Sequence, residues 1–183
     1  PTPPPAASYE FAINVGGAGT YSIAGSLSGI TPDSSGYNFT TQAVVNSNYQ
    51  SYVMGARIKF LSAGTVVALG AHNRDDSTMA LYPDSEGDAV SDIVTIDGHD
   101  DTSGSRDRDY NYTTLSSPVS VAANSIYRIG LKNSTGGYAR HSINSYVNTA
   151  TTSGNIKLLS GVYKNIGSLA SIAWPSTTIN NHY

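Results

Sequence analysis

In YEFAINV (9–15), Tyr9, Phe11, Ile13 and Val15 alternate with Glu10, Ala12 and Asn14. Successive side chains of an extended chain point to opposite sides, so a period of two gathers one apolar face and predicts a half-buried strand. The rhythm breaks at GGAG, restarts in TYSIAG and breaks again at TPDSSG. It returns in YNFTTQAVV, YVMGARIKFL, GTVVALGAH, TMALYP, AVSDIVTI, DYNYTTL, SPVSVAA, SIYRIGLK, GNIKLLSGVYK and LASIAW. In VMGARIKFL, Met54, Ala56, Ile58 and Phe60 share one face and Arg57 and Lys59 the other; in SIYRIGLK, Tyr127, Ile129 and Leu131 oppose Arg128 and Lys132. Nowhere do apolar residues keep the 3, 4, 7 spacing of a helix over two turns. About ten to twelve short strands separated by turn residues predict an all-β fold, an antiparallel β-sandwich or jelly roll.

A chain of 183 residues suits one core, and no internal repeat divides it. The expected organisation is a proline-rich arm, PTPPPAAS (1–8), which favours extended polyproline conformation and suits a tether, followed by a single sandwich domain over 9–183. Opening on Pro1 rather than Met predicts that a cleaved signal peptide or a trimmed initiator Met came before it.

Composition removes several function classes. With no cysteine, disulfides, thiolate metal sites and thiol catalysis are out of reach. No apolar run approaches the ~20 residues of a membrane-spanning helix. Only 13% of residues are charged, so solubility falls to Ser, Thr, Asn and Gly. Eleven of the thirteen acidic residues lie between Asp75 and Asp109. With its three arginines, the 74–109 region carries about −8 and the remainder about +5. A nucleic-acid binder needs a basic stripe instead, so no nucleic-acid partner is expected. Thirteen Tyr against three Phe and one Trp suit half-buried strand faces and amphipathic contact surfaces.

The pieces GARIKF, AGTVVALGAH, MALYPDSEGDAV and YTTLSSPVSVAANSIYRIG form a frame across residues 52–132. In the last, Pro118 is expected to open a strand, and Ala123–Asn124–Ser125 to turn into a Tyr-bearing one. This frame resembles an uncharacterised family of β-sandwich modules from bacterial secreted and surface proteins. The resemblance implies a non-catalytic accessory or surface module and names no ligand. The Asp/Arg insertion at 97–109 departs from the frame.

Candidate sites follow from side-chain chemistry. TIDGHDDTSGSRDRDYNY (95–112) holds five aspartates, two arginines and a histidine. Ca²⁺ takes six to eight oxygen ligands, and Asp97, Asp100, Asp101, Asp107 and Asp109 are the candidate metal set. Their spacing is not that of an EF-hand, and Arg106 and Arg108 can neutralise Asp107 and Asp109 without an ion; a solvated or inter-subunit loop is the leading reading, with no cofactor required. In AHNRDDST (71–78), His72, Asp75, Asp76 and Ser77 lack the rigid turn a nucleophile needs. His72, His99, His141 and His182 are scattered singly. No catalytic residues are assigned, and no enzymatic activity is expected. Tyr110 and Tyr112 share a strand face, Tyr138 and Tyr146 flank ARHSINS, and with Trp174 they are the candidate glycan-stacking platform. Three N-x-[ST] sequons, at Asn38, Asn111 and Asn133, carry little weight in so Asn/Ser/Thr-rich a chain.

The expectation is a structural or adhesive surface protein, a subunit or decoration module of a virion or extracellular assembly. Its arm would bind copies of itself or a neighbouring subunit. The alternative is a carbohydrate-binding module of a secreted protein, calcium-stabilised, that takes cell-surface glycan.

Overall fold

The computed structural model describes residues 9–15, 21–24, 52–71, 76–97, 110–133, 155–167 and 171–179. Among them there are strands and no helix. The strands are β1 (Tyr9–Val15), β2 (Tyr21–Ala24), β3 (Tyr52–Phe60), β4 (Gly64–Ala71), β5 (Ser77–Pro83), β6 (Val94–Ile96), β7 (Tyr110–Val121), β8 (Ile126–Asn133), β9 (Ile156–Asn165) and β10 (Thr177–Ile179). They form two sheets, a four-stranded one in the order β1-β4-β7-β2 and a six-stranded one in the order β10-β9-β3-β8-β5-β6.

The six-stranded sheet is antiparallel throughout. The four-stranded sheet is mixed, which corrects the expectation of a uniformly antiparallel fold. Its central pair β4/β7 is antiparallel, but β1 lies parallel to β4 and β2 parallel to β7. Alternation of side chains specifies which face of a strand is buried and is silent on the direction of its neighbour, so period-two reasoning cannot see this. An antiparallel jelly-roll plan therefore does not describe the smaller sheet.

One apolar cluster draws on both sheets. Phe11, Ile13, Val66, Leu69, Leu115 and Val121 come from one, and Ala56, Ile58, Phe60, Leu81, Ile129 and Leu158 from the other. Each fully buried Leu, Ile or Phe contributes ~1.5–3 kcal/mol of transfer free energy, so this shared interior holds the sheets together. The expected faces of β3 and β8 are observed: Ala56, Ile58, Phe60 and Ile129 are buried here, with Tyr127 and Leu131 packed against them.

The outer face of the six-stranded sheet carries a second, smaller cluster of Val53, Ala80, Tyr82, Ile166 and Ile172. The segment after β9 lies across this face before returning as β10. LASIAW is expected to form a strand, but within it residues 171–174 are not strand; their apolar side chains cover a sheet rather than join one.

Two strands predicted separately are one. DYNYTTL and SPVSVAA merge into β7, whose ladder to β4 jumps from Thr114↔Ala68 to Val119↔Val66. Residues 115–118 form the irregularity between those pairs. Pro118 sits inside it rather than opening a strand, as suits a residue with no N–H to give a ladder. AVSDIVTI is strand only over Val94–Ile96. The turn at Ala123–Asn124–Ser125 is observed. Ser125 N–H donates to Ala122 O at 3.2 Å, and Asn124 takes φ 66°, a left-handed conformation that Asn tolerates.

Candidate functional site

Strand registers sort the connections into two ends. Val15 pairs with Ala71 and Ala71 with Asn111, while Tyr21 pairs with Tyr110. In the other sheet, Ser77 pairs with both Ile96 and Asn133. Thr113 Oγ1 donates to Thr95 O at 2.8 Å and fastens the two sheets at this corner. One end of the molecule therefore collects the end of β1, the start of β2, the β4–β5 and β6–β7 crossings and the exit of β8.

Among the described residues, the opposite end carries short, hydrogen-bonded turns. Phe60 N–H donates to Ser125 O at 2.9 Å and Asn124 N–H to Phe60 O at 2.7 Å. Leu61 N–H donates to Asn155 O at 2.7 Å, and Ser62 Oγ to Asn155 Oδ1 at 2.9 Å.

The loop-bearing end brings together two acidic stretches that stand apart in the sequence. Asp76 immediately precedes Ser77, Asp97 follows Ile96, and Ser77 and Ile96 are ladder partners. Of the candidate metal set, Asp97 is described and exposed; Asp100, Asp101, Asp107 and Asp109 lie outside the described residues. Among the described residues no three His, Asp or Glu side chains gather to hold an ion.

Of the aromatic set, Tyr138 and Tyr146 lie outside the described residues, as does the side chain of Tyr110. Tyr112 is 1% exposed and packs over Gly70, its ladder partner, where a Cβ would come within 2.4 Å of the ring. Its ring is part of the interior. Trp174 is half-buried, its Nε1 donating to Pro83 O at 3.0 Å. The Arg128 guanidinium lies 4.4 Å from the centre of its ring, within cation–π range. Trp174 thus clamps the chain over the outer face.

Sequence reasoning missed the charge cluster beneath that clamp. Asp84 accepts from Arg57 Nε at 2.7 Å, Arg57 NH2 at 2.6 Å and Arg128 Nε at 3.2 Å. Arg128 NH1 donates to Pro175 O at 2.7 Å. Arg57 and Arg128 are ladder partners on β3 and β8, so their side chains rise together from the outer face, and Asp84, just past β5, reaches both. The Arg57 hydrogen bonds hold the Asp84 carboxyl below its ordinary pKa, with Arg128 adding to the effect; the same pairing raises the Arg57 guanidinium. Burial, then the Asp88 charge, pushes the Tyr82 phenol up to about 12. Arg57 and Arg128 read as solvent-facing in the alternation, yet Arg128 is 8% exposed. The readable signal was that two arginines on neighbouring strands share one face.

Compared with known protein families, curated proteins and solved structures, the chain matches none.

Asp92 gives the other organising contact. Its Oδ2 accepts from Ser116 Oγ at 2.6 Å and Ser117 N–H at 3.0 Å, supplying an acceptor where the β7 ladder is interrupted. These bonds lower the Asp92 pKa, Ser116 first. Upstream, Val90 N–H donates to Leu81 O at 2.8 Å and Leu81 N–H to Ser91 Oγ at 2.9 Å, so residues 90–91 continue the edge of β5 where β6 stops. The Asp92 and Asp84 contacts therefore brace the β7 irregularity and the outer face of the larger sheet.

No described helix is long and apolar enough to cross a membrane.

Proposed function

We propose that the chain is a non-catalytic structural or adhesive module of an extracellular assembly or virion surface. In this reading the proline-rich arm at 1–8 attaches it to a copy of itself or a neighbouring subunit, and the loop-bearing end faces outward. The observation carrying the reading is the sorting of connections. The strand ends flanking both acidic stretches converge on one end, while the turns described at the other end are short and hydrogen-bonded and Asp92 and Asp84 brace the strands beside them. A braced scaffold whose acidic stretches leave from one end suits a display module, in which loops make the contacts and strands hold them. A composition rich in Tyr and poor in charge supports the same reading.

The test is the arm. Light scattering on the full chain and on one lacking residues 1–8 should show loss of self-association or of incorporation into the parent assembly. Identical behaviour of the two chains removes the tether.

A further inference from the structure

We propose that the larger sheet joins copies of this chain edge to edge, the acidic β5–β6 margin of one copy seated on the basic β9 margin of the next. The inference rests on the assembly reading above and adds a sideways joint to it.

Charge is sorted across this sheet. Among the described residues every Lys and Arg, namely Arg57, Lys59, Arg128, Lys132, Lys157 and Lys164, lies on the neighbouring strands β9, β3 and β8. Every described Asp and Glu except Glu10 of β1 lies within 76–97, the stretch that carries β5 and β6. The strand order puts β9 toward one edge of the sheet and β5 and β6 at the other. Midway the two signs cancel at Asp84, which holds Arg57 and Arg128. Toward the margins Lys59, Lys157, Glu86 and Asp88 enter no ion pair among the described residues.

The two margins match in level and in kind. Lys59 and Lys157 are ladder partners, and like charges directly opposite one another repel, so carboxylates from another molecule relieve them. Beside them Leu159, which the β3–β9 ladder skips, is half-buried. On the other margin Glu86 and Asp88 are exposed, and so are two large apolar side chains, Val90 at 45% and Ile93 at 58%. Pro83 pairs with Tyr127, next to the Ile126 that pairs with Lys59, so residues 84–88 leave the sheet at the level of the lysines. Two different surfaces on opposite edges make a heterologous contact, which closes into a ring or continues as a row. Copies set side by side at one level keep their loop-bearing ends on one side, as display requires.

Light scattering on the full chain reads this joint. Salt at about 1 M shortens electrostatic reach to about 3 Å, so the parent should associate at low salt and need about tenfold more protein to do so at high salt. Lys59→Glu/Lys157→Glu and Glu86→Lys/Asp88→Lys chains should each stay monomeric where the parent associates. An equimolar mixture of the two should associate, because it again sets a native acidic margin against a native basic one. A parent that is monomeric at every concentration overturns the proposal, and retention of that monomer on heparin assigns the basic margin to an acidic polymer instead. Association that ignores salt overturns it, as does a monomeric mixture of variants that each melt like the parent. Should a charge variant fail to fold, Val90→Ser/Ile93→Ser trims only exposed side chains and should weaken association; parent-like association overturns the joint. Failure here is separable from failure of the tether. Association lost with residues 1–8 but untouched by charge reversal rejects the joint alone, and association that survives their removal but not charge reversal rejects the tether alone.

Discussion

At the scale of single residues, Asp84 is where the outer face is most exposed to chemistry. One carboxylate serves two guanidiniums, and Arg128 also holds Pro175 and the Trp174 ring. Asp84→Asn should lower stability by about 1–3 kcal/mol, the range for hydrogen bonds to charged groups, read from the denaturant midpoint. Folding lowers the Asp84 pKa, so its contribution is present above the ordinary value of 3.8 and is lost as pH falls through the folded value. Melting temperature should therefore drop more steeply below pH 3.8 in the parent chain than in Asp84→Asn. Ser160 behaves in the opposite way. It is 2% exposed, and its Oγ has no hydrogen-bond partner among the described residues. Ser160→Ala removes a desolvated hydroxyl and should leave the melting temperature unchanged or raise it, by up to about 1–2 kcal/mol in stability.

At the scale of strands, two glycines mark where backbone or ring must come close. A Cβ on Gly55 would lie 1.7 Å from Ile129 O, and one on Gly70 would enter the Tyr112 ring. Gly70→Val should cost about 1–3 kcal/mol by overpacking, seen as a lower denaturant midpoint with the two-state slope retained. Strand existence was largely legible in the sequence: YEFAINV coincides with β1, and YVMGARIKFL and GTVVALGAH end within one residue of β3 and β4. Three features were not legible, each for a physical reason. β7 continues through Pro118 because Asp92, far off in sequence, takes the Ser117 N–H that the interrupted ladder leaves over. Residues 89–93 carry strand-like alternation but fold back on β5 through the Ser91 hydroxyl. β10 is three residues long, too short for any period to show.

At the scale of the molecule, the acidic excess and the topology reinforce one another. Alternation could not reveal that the AHNRDDST and TIDGHDDTSGSRDRDYNY stretches leave the sheets side by side, because strand order is a long-range property. Of the candidate ligands and aromatics, the sequence could name residue types but not burial, which is how Tyr112 passes for a surface aromatic while filling the interior. An ion bound only by the native state raises the melting point, so a scan with and without chelator should show no shift if the acidic stretch is a solvated loop; a drop on chelation assigns it a metal. The placement of β3 has one more consequence. It lies between β8 and β9, and its register with β9 joins Tyr52 to Asn165. During synthesis, then, the larger sheet cannot close until β9, which ends at Asn165, has left the ribosome. A nascent or C-terminally truncated chain would carry the β3 edge bare, and such a chain should need chaperone protection that the finished protein does not.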